Sequence, residues 1–98
     1  MTGSHTVTLR LPGALRELVH GERALPVEVG DPADVRALLD AVAARWPAVE
    51  RRIRDETGAL RPHVNVFVGE ANIRDGAGQA EPLADGAQVW VIPAVSGG

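Results

Sequence analysis

The stretch GDPADVRALLDAVAARWP, residues 30–47, is the strongest helix signal in the sequence. Asp31 is a suitable N-cap, Pro32 fits the first helical position, and Pro47 marks the end of the helix. Five apolar residues recur at the spacing of one helical face: Val35, Leu38, Leu39, Val42 and Trp46. Because a one-sided apolar helix must cover another apolar surface, the segments around it are expected to form a sheet.

Two strand-like segments precede this helix. Apolar and polar residues alternate over residues 5–11 and again over ALPVEV, residues 24–29, which is the period of half-buried strands. The two segments are predicted to pair as a hairpin, and Pro26 places the second strand at a sheet edge. The residues between them are expected to form a loop or a single turn.

Two further strands follow the helix. HVNVFVGEANI, residues 63–73, predicts a strand that turns at Gly69, and QVWVIP, residues 88–93, predicts the last strand. Residues 75–88 are rich in glycine, alanine and aspartate and predict a loop that dips inward at Leu83.

The order of these elements predicts an α+β fold. A mixed sheet of four to five strands with one main helix on one face fits a β-grasp, in which the first and last strands run parallel at the centre. We expect residues 1–93 to form one domain and residues 94–98 to form a flexible C-terminal tail ending in Gly-Gly.

The composition excludes several functions. All ten basic residues are arginine and cysteine is absent, so the chain offers neither a lysine for Schiff-base chemistry nor a thiolate. The net charge of -3 indicates neither a nucleic-acid-binding protein nor a polybasic membrane patch. No apolar run reaches the roughly 20 residues of a membrane span, and a cytoplasmic location is expected.

The side chains form no conventional catalytic or metal site. The three histidines lack the i, i+4 spacing of a zinc-binding helix, and the two serines, Ser4 and Ser96, lie near the chain ends. Carboxylates such as Asp34 and Asp40 lie on polar faces, away from the apolar pocket that acid–base catalysis needs. The glycine-rich residues 75–81 lack the lysine and hydroxyl residue of a phosphate loop. We therefore expect no enzymatic activity, no metal and no bound cofactor.

The segment VWVIPAVSGG, residues 89–98, offers backbone chemistry instead. A C-terminal carboxylate can be activated as an acyl-adenylate by a separate ATP-using enzyme and then attacked by a sulfur nucleophile. The residues beside it must thread a narrow channel, which glycine does freely because it has no side chain. We expect Gly98 to be the reactive residue and Gly97 the threading residue.

The sequence resembles the MoaD/ThiS family of ubiquitin-like sulfur carriers over nearly its whole length. The most specific part is the end, where an Asp-Gly turn at 85–86 leads into an apolar strand ending in Pro93, followed by the terminal Gly-Gly. VNVFV, residues 64–68, looks most like the actinobacterial members that supply sulfur for cysteine biosynthesis. Molybdopterin-synthase small subunits more often carry Pro-Pro where this chain has Pro93-Ala94.

The resemblance implies a protein co-substrate rather than an enzyme. It implies that an E1-like adenylyltransferase, with or without a linked rhodanese, adenylates Gly98 with ATP, and that a rhodanese-type or persulfide donor converts it to a thiocarboxylate. A biosynthetic enzyme making cysteine, a thiosugar or a similar metabolite then takes the sulfur. The carrier alone is expected to be a monomer. The alternatives are a ubiquitin-like modifier joined to target lysines through Gly98, a molybdopterin synthase small subunit, and a plain interaction module.

The strand pattern also predicts a partner-docking surface. If the valines of the last strand face the helix, Trp90 and Phe67 point outward on neighbouring strands, and exposed aromatic pairs are typical of partner surfaces. The predicted docking residues are Phe67, Trp90, Ile92, Pro93 and Val95. The alternative is that the loop of residues 75–88 covers these aromatics.

Overall fold

Strands and helices follow the predicted order in a computed structural model that describes residues 4–93. The strands are β1 (His5–Arg10), β2 (Ala24–Val29), β3 (Val64–Val68), β4 (Ala71–Asn72) and β5 (Gln88–Pro93). The helices are α1 (Gly13–Arg16), α2 (Val35–Arg45) and α3 (Pro47–Ile53). Helix α1 lies in the segment predicted as a loop or single turn, and the limits of β5 match the prediction.

The strands form one mixed sheet in the order β2-β1-β5-β3-β4. β1 and β2 pair antiparallel as a hairpin, and β2 lies at the edge where Pro26 predicted it. β1 and β5 pair parallel, while β3 pairs antiparallel with β5. The predicted β-grasp topology, with the first and last strands parallel and adjacent, is therefore confirmed.

One hydrophobic cluster joins the sheet to the helices. The residues that anchor it are fully buried and come from alternate positions of the strands and from one face of α2: Val7, Leu9, Val66, Val89, Val35, Leu38, Leu39 and Val42. Burying a side chain of this size contributes roughly 1.5–3 kcal/mol. Leu83 is also buried, as the loop prediction required, and Trp46 packs against the cluster while remaining partly exposed.

Helix α2 begins later than the sequence indicates, so the prediction of Asp31 as its N-cap is wrong. Asp34 is the N-cap, and its carboxylate accepts a hydrogen bond from the Ala37 amide at 2.8 Å. The chain before it stays extended because it pairs with the loop after β4. The Val35 amide donates to the Glu81 carbonyl at 3.0 Å, and the Leu83 amide donates to the Ala33 carbonyl at 2.9 Å.

Pro47 both ends α2 and begins α3. Trp46 is the C-cap of the first helix and the N-cap of the second, and Pro47 is the first residue of α3. Proline fits there because the first amides of a helix have no intrahelical acceptor.

A buried arginine ties both helices to the loop after β4. Arg54 is 6% exposed and donates to the Glu50 carboxylate at 2.8 Å and to the Asp40 carboxylate at 2.9 Å. It also donates to the Gln79 side-chain carbonyl at 3.2 Å, and Gln79 in turn donates to the Gly58 carbonyl at 2.9 Å. This one side chain therefore fixes the positions of α2, α3 and the loop around Gln79 relative to one another.

We expect Arg54→Met to lower the free energy of unfolding by about 2–3 kcal/mol, measured by urea denaturation. The Glu50 side chain is only 12% exposed and loses its charged partner, which is the costly way to break such a pair. Arg51→Met, on the exposed side of α3, is the control and should change stability by less than about 0.5 kcal/mol. Equal losses in both variants would contradict this role for Arg54.

Candidate functional site: the open sheet face and the root of the tail

Strand β5 separates two surfaces of different character. Val89 and Val91 point into the core, whereas Trp90 and Ile92 point away from it and are 41% and 42% exposed. This alternation follows from the pleat, since successive side chains on a strand point to opposite faces. We call the side of the sheet that carries Trp90 and Ile92 the open face.

A row of large side chains crosses the open face on three neighbouring strands. Trp90 lies opposite Arg10 on β1 and opposite Phe67 on β3. The Arg10 guanidinium carbon is 4.9 Å from the centroid of the Trp90 ring, within the range of a cation–π contact. The Arg10 Nε also donates to the Gln88 side-chain carbonyl at 2.7 Å, which holds the guanidinium over the ring. We call Arg10, Trp90 and Phe67 the aromatic row.

The structure groups some of the predicted docking residues and separates others. Phe67 and Trp90 are neighbours as predicted, and Ile92 shares their face opposite Asn65. Pro93 does not share it, because it lines a pocket with Val91 on the other side of β5. Val95, Gly97 and Gly98 lie outside the described residues.

The loop of residues 75–88 does not cover Trp90, which remains well exposed. Phe67 is half-buried and borders a groove whose other wall includes Asp75, Gly76 and Glu81. The beginning of this loop therefore flanks Phe67, while Trp90 and Ile92 remain free to contact a partner.

Arg10 is the residue of this surface that sequence reasoning missed. Its position between Leu9 and Leu11 indicated the outward face of β1, but its neighbour depends on the register of β1 with β5. That pairing joins residues about eighty positions apart, so no local sequence pattern predicts it. The expectation that the first and last strands of a β-grasp run parallel and adjacent could have placed Arg10 near β5.

The described side chains form no acid–base or metal centre. Asp55 has a pKa below its usual value because it accepts hydrogen bonds from the Thr57 hydroxyl and amide, but it lies in an exposed loop. Within residues 4–93, no group of three or more histidine, aspartate and glutamate side chains is arranged to hold a metal ion. No helix of this part of the chain is long and apolar enough to cross a membrane.

A mixed five-stranded sheet with helices on one side and a parallel central pair defines a ubiquitin-like β-grasp protein. More particularly, the chain belongs to the ThiS family, whose model matches residues 9–98. That match includes both the described fold and the terminal glycines.

Three relatives show the range of this family. The sulfur carrier protein CysO of Mycobacterium tuberculosis is 31% identical over 94 residues, covering 94% of this chain and 98% of CysO. Its crystal structure has a TM-score of 0.80 and 27% identity, covering 91% and 99% of the two chains. Small archaeal modifier protein 1 of Haloferax volcanii is 38% identical over 81 residues, covering 82% of this chain and 87% of the relative.

The third relative comes from the crystal structure of a complex. The crystal structure of the Amycolatopsis orientalis BexX/CysO complex contains a chain with a TM-score of 0.80 and 29% identity, covering 94% of this chain and 99% of that one. The relatives are thus named as carriers and modifiers rather than as enzymes.

Trp90→Ala should lower the free energy of unfolding by less than about 1 kcal/mol, because the exposed ring loses mainly its contact with Arg10. The adjacent control Val91→Ala should cost roughly 2 kcal/mol, because it removes two buried methyl groups from the core. Urea denaturation measures both. A larger loss in Trp90→Ala would show that this ring belongs to the core.

Proposed function

We propose that this protein is a sulfur carrier that holds sulfur as a thiocarboxylate on the C-terminal carboxylate of Gly98. The main support is the family match over residues 9–98, which joins the β-grasp domain to the terminal Gly-Gly. The naming of a similar protein as a sulfur carrier supports the same function. The described side chains supply no competing catalytic centre.

The proposed chemistry takes place in two steps, the first between the Gly98 carboxylate oxygen and phosphorus and the second at the carboxyl carbon. The Gly98 carboxylate attacks the α-phosphate of ATP and releases pyrophosphate, which leaves an acyl-adenylate. Hydrosulfide then displaces AMP, so a carbon–sulfur bond replaces the bond between carbon and the phosphate-bearing oxygen. The sulfur of a thiocarboxylate is ionised near neutral pH and is a ready nucleophile for an acceptor enzyme.

The strand that precedes the tail supports this proposal. β5 continues to Pro93, which is paired with Val64 of β3, so the sheet holds the chain until five residues before Gly98. Five extended residues reach roughly 16–18 Å, which is enough to enter an active site below a partner's surface. Because residue 97 is glycine, the residue next to the reactive Gly98 has no side chain.

The partners in this proposal are an E1-like adenylyltransferase, which binds the ATP, and a sulfur-accepting biosynthetic enzyme. The carrier itself binds no cofactor and acts as a monomer in the cytoplasm. The aromatic row and Ile92 offer both partners a docking surface, since a large exposed aromatic beside an arginine is typical of interface centres. The BexX/CysO complex supports a protein partner for a carrier of this fold.

Protein modification is a second candidate function, favoured by the 38% identity to a small archaeal modifier protein. The same activated Gly98 would be attacked by a lysine amine of a target protein in place of sulfide. Since this chain contains no lysine, it cannot modify its own side chains in this way.

Incubation with the cognate activating enzyme, ATP and sulfide should replace one oxygen of the C-terminal carboxylate by sulfur, as read by intact mass. Gly97→Val should abolish this change, because a β-branched side chain next to the reacting group blocks the narrow channel. Both proteins should show the same unfolding curve.

Gly30→Val is the matched control for that substitution. Gly30 lies in an exposed connection, and a Cβ added there meets no atom within 4 Å. It should be charged at the wild-type rate. Normal charging of Gly97→Val would remove the threading role, and unchanged mass in the wild-type protein would refute the carrier function.

Trp90→Ala should raise the KM for the carrier in ATP–pyrophosphate exchange by about tenfold, the effect of losing an interface residue worth more than 1 kcal/mol. Leu18→Ala, which truncates an exposed apolar residue away from the open face, should stay within twofold of wild type. Equal KM values for Trp90→Ala and wild type, with equal stability, would exclude the aromatic row as the docking surface for this enzyme.

A further inference from the structure

A second surface lies on the opposite side of β5 from the open face, at the root of the tail. It is a pocket of about 170 Å³ whose wall includes Pro93, the last described residue. Resting on the proposed function, we propose that this pocket receives an apolar side chain of the adenylating enzyme, while a neighbouring carboxylate of that enzyme pairs with Arg52. The pocket would thereby hold the base of the tail against the enzyme that must thread it.

The floor of the pocket is apolar and firmly held. Leu15, Val64 and Val91 form this floor, and they belong to the core because they are only 6%, 5% and 4% exposed. Pro12 and Pro93 complete the wall with rigid rings. A cavity of about 150 Å³ is enough to bind benzene, so this space fits one aliphatic or aromatic side chain.

The rim of the pocket is basic. Arg52 and His63 line it, and both are exposed. Among residues 4–93, Arg54 makes the two salt bridges found in the structure, so Arg52 has no carboxylate within 4.0 Å in that part of the chain. A carboxylate supplied by a partner would therefore meet a guanidinium without an intramolecular competitor there.

Other arginines extend this positive charge along the same edge. Arg61 donates through Nε to the Arg51 carbonyl at 2.7 Å, and Arg74 donates through Nη2 to the carbonyls of Arg61 and Val64, each at 2.7 Å. These contacts place the side chains of Arg61 and Arg74 beside β3 and α3. Asp55 lies near Arg61, which helps to lower the pKa of that carboxyl, so part of this charge is offset. The arginines together still favour an acidic surface on the partner.

The adenylating enzyme is the occupant that position favours. Pro93 lines the pocket and is followed directly by the tail, so an enzyme that takes Gly98 into its active site binds the chain within five residues of this rim. An apolar side chain flanked by a carboxylate matches both the floor and the rim. A surface that combines a filled apolar pocket with a charge pair at its edge has the usual anatomy of a protein interface.

The test uses full-length protein, the cognate activating enzyme and ATP–pyrophosphate exchange. Arg52→Glu should raise the KM for the carrier at least fivefold with little change in kcat, because it sets like charges against each other at the rim. Ala14→Trp, which fills the pocket from an exposed position, should do the same.

Two matched variants control for charge and bulk. Arg36→Glu makes the same charge change on the exposed side of α2, and Ala44→Trp adds the same ring at an exposed site on that helix. Neither residue lines the pocket, and both variants should stay within twofold of wild type. Urea denaturation checks that all four variants fold. Because Arg52 is exposed, Arg52→Glu decides the matter if Ala14→Trp does not fold.

Three results would overturn the proposal. Wild-type KM values for Arg52→Glu and for a folded Ala14→Trp would exclude the pocket as a binding site for the adenylating enzyme. They would leave the proposed carrier function intact. Effects confined to sulfur delivery from the charged carrier would assign the pocket to the acceptor enzyme instead. Absence of pyrophosphate exchange with wild-type protein would overturn the carrier function and this inference together.

Discussion

The parallel pairing of β1 with β5 is the interaction on which the rest of the molecule depends. It joins segments about eighty residues apart, with Thr8, Leu9 and Arg10 in register with Gln88, Val89 and Trp90. Turn residues extend it, since the Thr8 amide donates to the Ala87 carbonyl at 3.0 Å. Long-range pairing costs loop-closure entropy, and here the buried contacts of Leu9 and Val89 with the helices offset that cost.

The same pairing determines where the proposed docking surfaces lie. It sets Arg10 beside Trp90 on the open face, because residues in register point to the same side of a sheet. It also places β5 between two partners, since β1 pairs with residues 88–90 and β3 pairs with residues 89–93, so β3 holds the strand up to Pro93. A central strand is the most rigidly held part of a sheet, and the proposed reactive end continues directly from it.

Much of this architecture follows from local patterns in the sequence. The period of two over residues 24–29 and 88–93 predicted both strands, and the apolar stripe predicted the buried face of α2. The outward position of Trp90 followed from the same alternation. These features depend on side chains close in sequence, where the spacing alone decides which residues share a face.

The features that local patterns did not predict are those that depend on distant pairing. Asp31 and Asp34 are both chemically suited to cap α2, and the choice falls on Asp34 because residues 33–35 pair with residues 81–83. The contact of Arg10 with Trp90 likewise requires the register of β1 with β5. The pocket at the tail root required four segments to meet, and Arg54 became buried only because acceptors from α2, α3 and the later loop converge on it.

The positions of the two proposed surfaces affect how precisely a bound partner could orient the tail. The open face and the pocket lie on opposite sides of one strand, and Pro93 is within a few residues of both. A partner that contacted one surface alone could rotate about it, and the direction of the tail would vary. A partner that contacts both fixes the strand from two sides, so the entropy of orienting the reactive end is lost on docking rather than in the chemical step. The domain's side chains would then contribute to the reaction by position, and its backbone terminus would supply the reacting atoms.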